Sequence, residues 1–453
     1  MSGWRDLTAC AALTAVTVWA FRRALGFYFL ADDFSLVKLA GASHLAIIPW
    51  FKTPGGDGFF RPIANISFEL TAPWAGANPF LWHAAALALH IANSILVYML
   101  AFRLGRSRVA ALGAALLFAI HGTRPEAVVW IAGRFDLLAA FFVLSGLLLF
   151  ERSLGEPSPA GPLYRAASLA ATLLAILSKE SAYVFPLLAA PLLFCHRGRP
   201  RTHAAVLLPY FATAAALFAW RWCLFGGIGG YRDARTGRAQ ALMFGLGTLK
   251  ALGLRLWAAL FFPINWSAQP SAWMVAAMLA YLGALLWLAF SRPERLRMAF
   301  ALGFLLISVL PPLHLLGIGK ELVNSRVLYL PSVGFCLMLA VAADALRGPS
   351  RWIIPVAILL FHFTALEHNL DLWADASAKA QAASAAILSC PGADANLAAS
   401  GVPGRLRGVP FLANVTRQTL VLQPGGAPSA HHAVRSSFVW NPATERVDCL
   451  AAP

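Results

Sequence analysis

The sequence predicts an all-α polytopic membrane protein with about eleven transmembrane helices, followed by a small α/β or mostly β extracytoplasmic domain at its C-terminal end. Three observations point there. The 453 residues are 59% hydrophobic and only 12% charged, with a mean hydropathy of +0.67. A soluble domain carries roughly 25% charged residues. Long apolar runs recur from residue 7 to residue 366, and in lipid such runs must satisfy their own backbone amides as helices. Finally, the arginines gather in short loops between the runs, which is the pattern that orients a membrane protein.

The first span covers residues 7–24 and reads as retained, because no small-residue cleavage site follows it. A polar loop then runs over residues 31–80. It carries Asp32, Asp33, Lys52, Gly55-Gly56-Asp57-Gly58, Phe60-Arg61-Pro62 and Glu69, and is long enough for short surface helices. Further spans are expected at 81–102, 109–120, 137–150, 166–177, 182–194 and 204–225. Residues 240–263 set Lys250 and Arg255 among leucines and end at Pro263, Trp266, Pro270 and Trp273. That pattern suits a helix lying in the interface. Spans at 274–290, 298–316, 327–346 and 352–366 complete a domain of residues 1–366. The tail, 367–453, opens with a helix over 372–388; Leu420-Val421-Leu422 and residues 437–440 read as strands.

With the N-terminus inside, the basic clusters at 103–108, 196–201, 292–297 and 347–351 all fall in the cytoplasm. This topology explains the net charge of +16 better than nucleic acid does, since the arginines form no continuous basic face. Cys10, Cys195, Cys223 and Cys336 lie in or beside spans and read as small apolar residues. Cys390 and Cys449 both lie in the tail and could pair in an oxidising compartment.

The same topology sends charges of both signs to the outer side: Asp32, Asp33, Arg61, Glu69, Arg124, Glu126, Arg134, Asp136, Lys179, Glu180, Lys320, Glu321 and Arg326. Ionisable groups near lipid are costly, so they are paired or functional. Arginine and lysine at headgroup level suit a phosphate. A carboxylate beside them suits a general base for a hydroxyl. The bland alternative for Asp32-Asp33 is a helix cap or a boundary charge. His83, His90 and Asn93 share one helix face, where hydrogen bonding between helices explains them better than metal ligation. No full ligand set for a metal is visible and no cofactor is expected to be obligatory, although the acidic pair could bind a divalent cation through oxygen.

The chain resembles the bacterial relatives of the transmembrane O-mannosyltransferases, which are membrane glycosyltransferases of the C-type fold. The matching stretches are Asp32-Asp33-Phe34, Phe60-Arg61-Pro62, His83 with His90-Ile91-Ala92-Asn93, and residues 117–136 with His121, Pro125-Glu126, Trp130 and Gly133-Arg134-Phe135-Asp136. Leu177-Ser178-Lys179-Glu180 and residues 326–335, with Arg326, Tyr329, Pro331 and Gly334, complete the match. The resemblance implies Asp32 or Asp33 as the base that activates an acceptor hydroxyl. It implies a polyprenyl-phosphate sugar as donor, with Arg134, Lys179 and Arg326 as phosphate candidates. Arg61, His83, Glu126, Asp136 and Glu180 complete the expected substrate-binding set. It also implies a bacterial inner membrane, with the acceptor, a protein or glycan, and the tail on the periplasmic side. Two departures stand out: the tail has no 34-residue repeat, and the family's second histidine before the Glu-Ala pair is absent in His121-Gly122-Thr123-Arg124-Pro125-Glu126. A transporter or flippase for a lipid-linked glycan is the rival reading. It predicts inverted repeats and charges near the midplane, whereas the charges here cluster at one face.

Overall fold

The computed structural model of the chain describes residues 3–42, 47–52, 58–105, 107–154, 160–195, 204–232, 236–237, 239–240, 245–291, 293–390, 397–422 and 438–449. The basic loop at 196–201, Arg106, Arg292 and the Gly55-Gly56-Asp57 run lie outside the described residues.

Among the described residues six helices are long and apolar enough to cross a membrane, judged by length and composition. They are Pro79–Gly105, Ile131–Ser153, Gly161–Ser178, Ala205–Phe225, Ala272–Ala289 and Ser350–Ser389. The expected count of about eleven is therefore not supported. For the shorter helices the physical reason is length, whereas Trp4–Phe21 has 18 residues and opens on the charged pair Arg5-Asp6. The Arg108–Ile120 and Pro331–Asp344 helices have 13 and 14 residues. At 1.5 Å per residue each rises about 20 Å, short of the roughly 30 Å hydrocarbon core. An apolar run can equally well be packed against other helices, and these are. Gly334 shows how closely: a Cβ there would lie 2.5 Å from the Leu305 nitrogen and 2.6 Å from the Ala301 oxygen. That lets the Pro331–Asp344 helix sit directly on the Arg295–Val309 helix.

Polar side chains inside the bundle join helices, as the spacing of His90 and Asn93 predicts. His90 Nδ1 lies 2.7 Å from the Tyr329 hydroxyl and Nε2 lies 3.0 Å from the Ala119 carbonyl. Asn93 Nδ2 donates to the Leu137 carbonyl at 2.9 Å and to the Tyr329 hydroxyl at 3.1 Å. Surface helices fill the first polar loop, at Asp33–Ala42, Pro49–Lys52 and Pro62–Ala75. Residues 246–261 are helical, with a π turn at Ala251–Arg255. Leu246, Leu249 and Leu254 are exposed there while Leu256 and Leu260 are fully buried, an amphipathic arrangement.

The Ser350–Ser389 helix runs 40 residues without a break. The expected last span and the expected helix of the tail are thus one element, because no glycine or proline interrupts residues 356–389. Beyond it, among the described residues, lie two short antiparallel hairpins, Arg405–Leu406 with Val409–Pro410 and Phe438–Asn441 with Arg446–Cys449. The second contains residues 438–440 of the strand expected at 437–440, and Ser437 lies outside the described residues. The strand expected at 420–422 is not one: Leu420 ends a short helix, Arg417–Leu420, whose start Thr416 caps.

Cys390 and Cys449 form a disulfide between the end of the long helix and the last strand, with Cα atoms 5.6 Å apart. The bond spans 59 residues, and closing a loop of that length in the unfolded chain is worth about 4 kcal/mol. The paired substitution Cys390→Ser with Cys449→Ser is therefore expected to lower the thermal midpoint by several degrees. Peptide mapping under non-reducing conditions should recover the two cysteines linked.

Candidate functional site

Six of the charges singled out in the sequence meet at one cavity of about 1090 Å³. Its walls include Asp32, Arg61, Asp136, Lys179, Glu180 and Arg326, drawn from five separate stretches of chain.

The acidic pair is split by the fold. Asp33 starts the Asp33–Ala42 helix and is 1% exposed. Its Oδ2 accepts the Leu30 amide at 3.1 Å, and its Oδ1 accepts the Ala132 amide at 3.0 Å. Burial raises the pKa of this carboxyl, and the backbone amides of Leu30, Ala132 and Ile131 oppose that shift. Asp33 is a structural acceptor that fastens residues 30–33 to the 131–133 turn, and it does not line the cavity. Asp32 does. It is half-buried, and its Oδ1 accepts Asn414 Nδ2 at 3.1 Å. The residue before it, Ala31, adopts φ +47°, a conformation rare for a residue with a Cβ.

The cations are held in place by carboxylates. Lys179 Nζ sits 2.6 Å from Asp136 Oδ1. Burial lowers the Lys179 pKa; Asp136 opposes this, and the charges of Arg61 and Arg326 add to it. Glu180 bridges Arg61 at 2.8 Å and Arg221 at 2.6 Å. The Arg326 guanidinium lies 3.2 Å from Glu126 Oε1 and 4.5 Å over the Trp130 ring. Glu126 itself lies behind the wall. It accepts the Arg326 amide at 3.0 Å, the Asn324 amide at 3.2 Å and the Ser325 hydroxyl at 3.2 Å. It thus orients Arg326 and does not line the cavity.

Two more expected residues stay out of the cavity. His83 is buried, with Nε2 3.1 Å from the Phe27 carbonyl. Arg134 is 2% exposed; it donates to the Thr71 hydroxyl at 2.8 Å and the Ser67 carbonyl at 3.3 Å, between the rings of Phe68 and Trp82. A guanidinium so enclosed ties the helix Pro62–Ala75 to the bundle and is not available to a phosphate. The corresponding omission is Arg221, inside the Ala205–Phe225 helix and facing the cavity. An arginine within an apolar run is itself a signal of function or pairing. Asn414, His314 and Tyr231 also line the cavity, and nothing in the sequence marks them. Among the described residues no group of three or more His, Cys, Asp or Glu side chains is arranged to hold a metal.

This division is testable by stability. Asp33→Ala leaves two backbone amides without their acceptor and is expected to cost about 3 kcal/mol. Asp32→Ala, at the cavity wall, should change stability by under about 1 kcal/mol. Chemical denaturation of the detergent-solubilised protein measures both; equal losses would contradict the assignment.

No family model matches the chain. Curated relatives do. Protein O-mannosyl-transferase TMTC1 of Mus musculus is 35% identical over 130 residues, which is 27% of this chain and 14% of that protein. Protein O-mannosyl-transferase Tmtc1 of Drosophila melanogaster is 31% identical over 159 residues, 33% of this chain and 18% of that protein. Protein O-mannosyl-transferase TMTC4 of Homo sapiens is 26% identical over 357 residues, 64% of this chain and 48% of that protein. The chain spans about half the length of these relatives or less. The comparisons support a likeness to TMTC-type protein O-mannosyl-transferases, carried by partial matches of low to moderate identity.

Proposed function

We propose that the chain is an integral-membrane glycosyltransferase that moves a sugar from a polyprenyl-phosphate donor to a hydroxyl of a protein or glycan. The observation that carries this reading is the charge arrangement of the cavity. Arg61, Lys179, Arg221 and Arg326 are paired with Glu126, Asp136 and Glu180. Glu180 serves two arginines, so these cations meet side by side on one wall. A phosphodiester carries one negative charge, and guanidinium forks bind its oxygens well. Phe211, Ala214, Phe218, Leu310 and Leu315 supply an apolar wall to the same cavity, which suits a prenyl chain. The relatives' names add mannose as the first sugar to try.

In this reading Asp32 takes the proton of the acceptor hydroxyl. The oxygen bonds to the anomeric carbon as the bond from that carbon to the phosphate oxygen breaks. The electron pair leaves on polyprenyl phosphate, held by the cations, and one displacement inverts the anomeric configuration. The polar ends of the helices would face the extracytoplasmic side of a bacterial inner membrane, with the N-terminus inside. The Cys390–Cys449 disulfide supports an oxidising compartment for the tail.

The test is sugar transfer by the purified full-length protein from polyprenyl-phosphate mannose, tritiated in the sugar, to a threonine-rich peptide. Asp32→Asn is expected to lower kcat about 100-fold or more. Arg221→Gln leaves Arg61 on Glu180 but removes one cation from the wall, and is expected to raise the donor KM about tenfold. Full activity of Asp32→Asn would remove the base. An unchanged donor KM in Arg221→Gln would remove the charge argument.

A further inference from the structure

The chain returns to the cavity after its long helix, and it does so at the acidic pair. The Ala31 amide donates to the Phe411 carbonyl at 2.7 Å. One residue on, the Asp32 carboxylate accepts Asn414 Nδ2 at 3.1 Å. Among the described residues Asn414 is the hydrogen-bond partner of that carboxylate. Asn414 adopts φ +59°, a left-handed conformation that asparagine tolerates better than most side chains.

The segment is positioned by contacts other than Asn414 itself. Phe411 is fully buried, with its ring 5.5 Å from that of Trp440. Arg407 offers its carbonyl to Asn265 Nδ2 at 2.9 Å. Lys38 Nζ donates to the Gln418 carbonyl at 2.7 Å. Arg417 Nη2 donates to the Cys390 carbonyl at 2.5 Å, beside the disulfide. Gly408 lies against Glu321, where a Cβ would come within 2.5 Å of the Glu321 oxygen. With its backbone held from several sides, Asn414 presents its amide to Asp32 as a fixed donor.

We propose that the segment after the long helix is a working part of the transfer site, with Asn414 as the positioning residue for the Asp32 carboxylate. This rests on the transferase reading above. Bonding Oδ1 fixes the rotation of the carboxylate and leaves Oδ2 to take the acceptor's proton. A base fixed in this way loses little freedom at the moment of reaction. Asn414 touches no reacting atom in this scheme. It acts through Asp32, so its removal is read in kcat and not in donor binding.

Three substitutions in the full-length protein separate the roles. Asn414→Gly keeps the left-handed backbone and removes the donor. Asn414→Asp keeps the shape and replaces the donor by an acceptor. Asn414→Gln keeps an amide. With polyprenyl-phosphate mannose and the threonine-rich peptide, the first two are expected to lower kcat about tenfold with the donor KM unchanged. Asn414→Gln should recover to within about threefold of the unsubstituted protein. A readout free of substrate is labelling of Asp32 by a water-soluble carbodiimide, mapped by mass spectrometry. Losing the amide leaves Oδ1 open to the reagent, so Asn414→Gly should label about threefold faster. Unchanged kcat and labelling in Asn414→Gly, alongside an inactive Asp32→Asn, would overturn the role of Asn414 and leave the transferase reading standing. Equal losses in all three variants with a lowered melting point would reduce it to a packing role and overturn it as well. A fully active Asp32→Asn would remove the base itself, and is thereby told apart from failure at Asn414.

Discussion

The site depends on a carboxylate that does not line it. Asp33 is removed from water, and a buried carboxyl must be matched by donors or stay neutral. It meets that requirement with backbone amides from Leu30 and Ala132, not with a cation. The outcome is a fixed seam between residues 30–33 and the 131–133 turn, which Trp130 closes by donating to the Leu30 carbonyl at 3.2 Å. With the chain held there, Ala31 takes its unusual conformation and Asp32 is left at the cavity wall. The burial of one aspartate thus sets the direction of its neighbour.

The device recurs on the opposite wall. Glu126 gathers the amides of Asn324 and Arg326, the Ser325 hydroxyl and the Arg326 guanidinium. Asn324, like Asn414, sits in the left-handed region, at φ +66°. Loops that would otherwise bond to water at the edge of the bundle are fastened by buried acids. Cations fixed in this way need little rearrangement to meet a charge that develops beside them. Carboxylate partners also keep four cations from repelling one another across a small cavity, Glu180 doing so for two at once.

Reading the sequence found the stretches that matter but not the roles within them. Asp32 and Asp33 are equivalent by composition. Successive residues at a helix start point in directions roughly 100° apart, and only the approach of Ala132, 99 residues away from Asp33, decides which carboxyl is enclosed. Arg134 reads as an exposed charge at a span end because Thr71, Phe68 and Trp82, which enclose it, belong to other elements. Arg221 is marked in the sequence as one charge within an apolar run, but a search of the span ends passes it by. The span count fails because hydropathy reports that a segment avoids water, not whether lipid or protein covers it.

The sequence by itself determined the helical class and the polar stretches that end the helices. Those are properties of composition and local periodicity, which lipid and backbone hydrogen bonding translate directly into helices. The tertiary structure alone decided which acid faces the cavity, which arginines reach it, and that Asn414 meets Asp32 across 382 residues. Such meetings depend on where distant loops land once helices have packed, and no local pattern of residues encodes that distance.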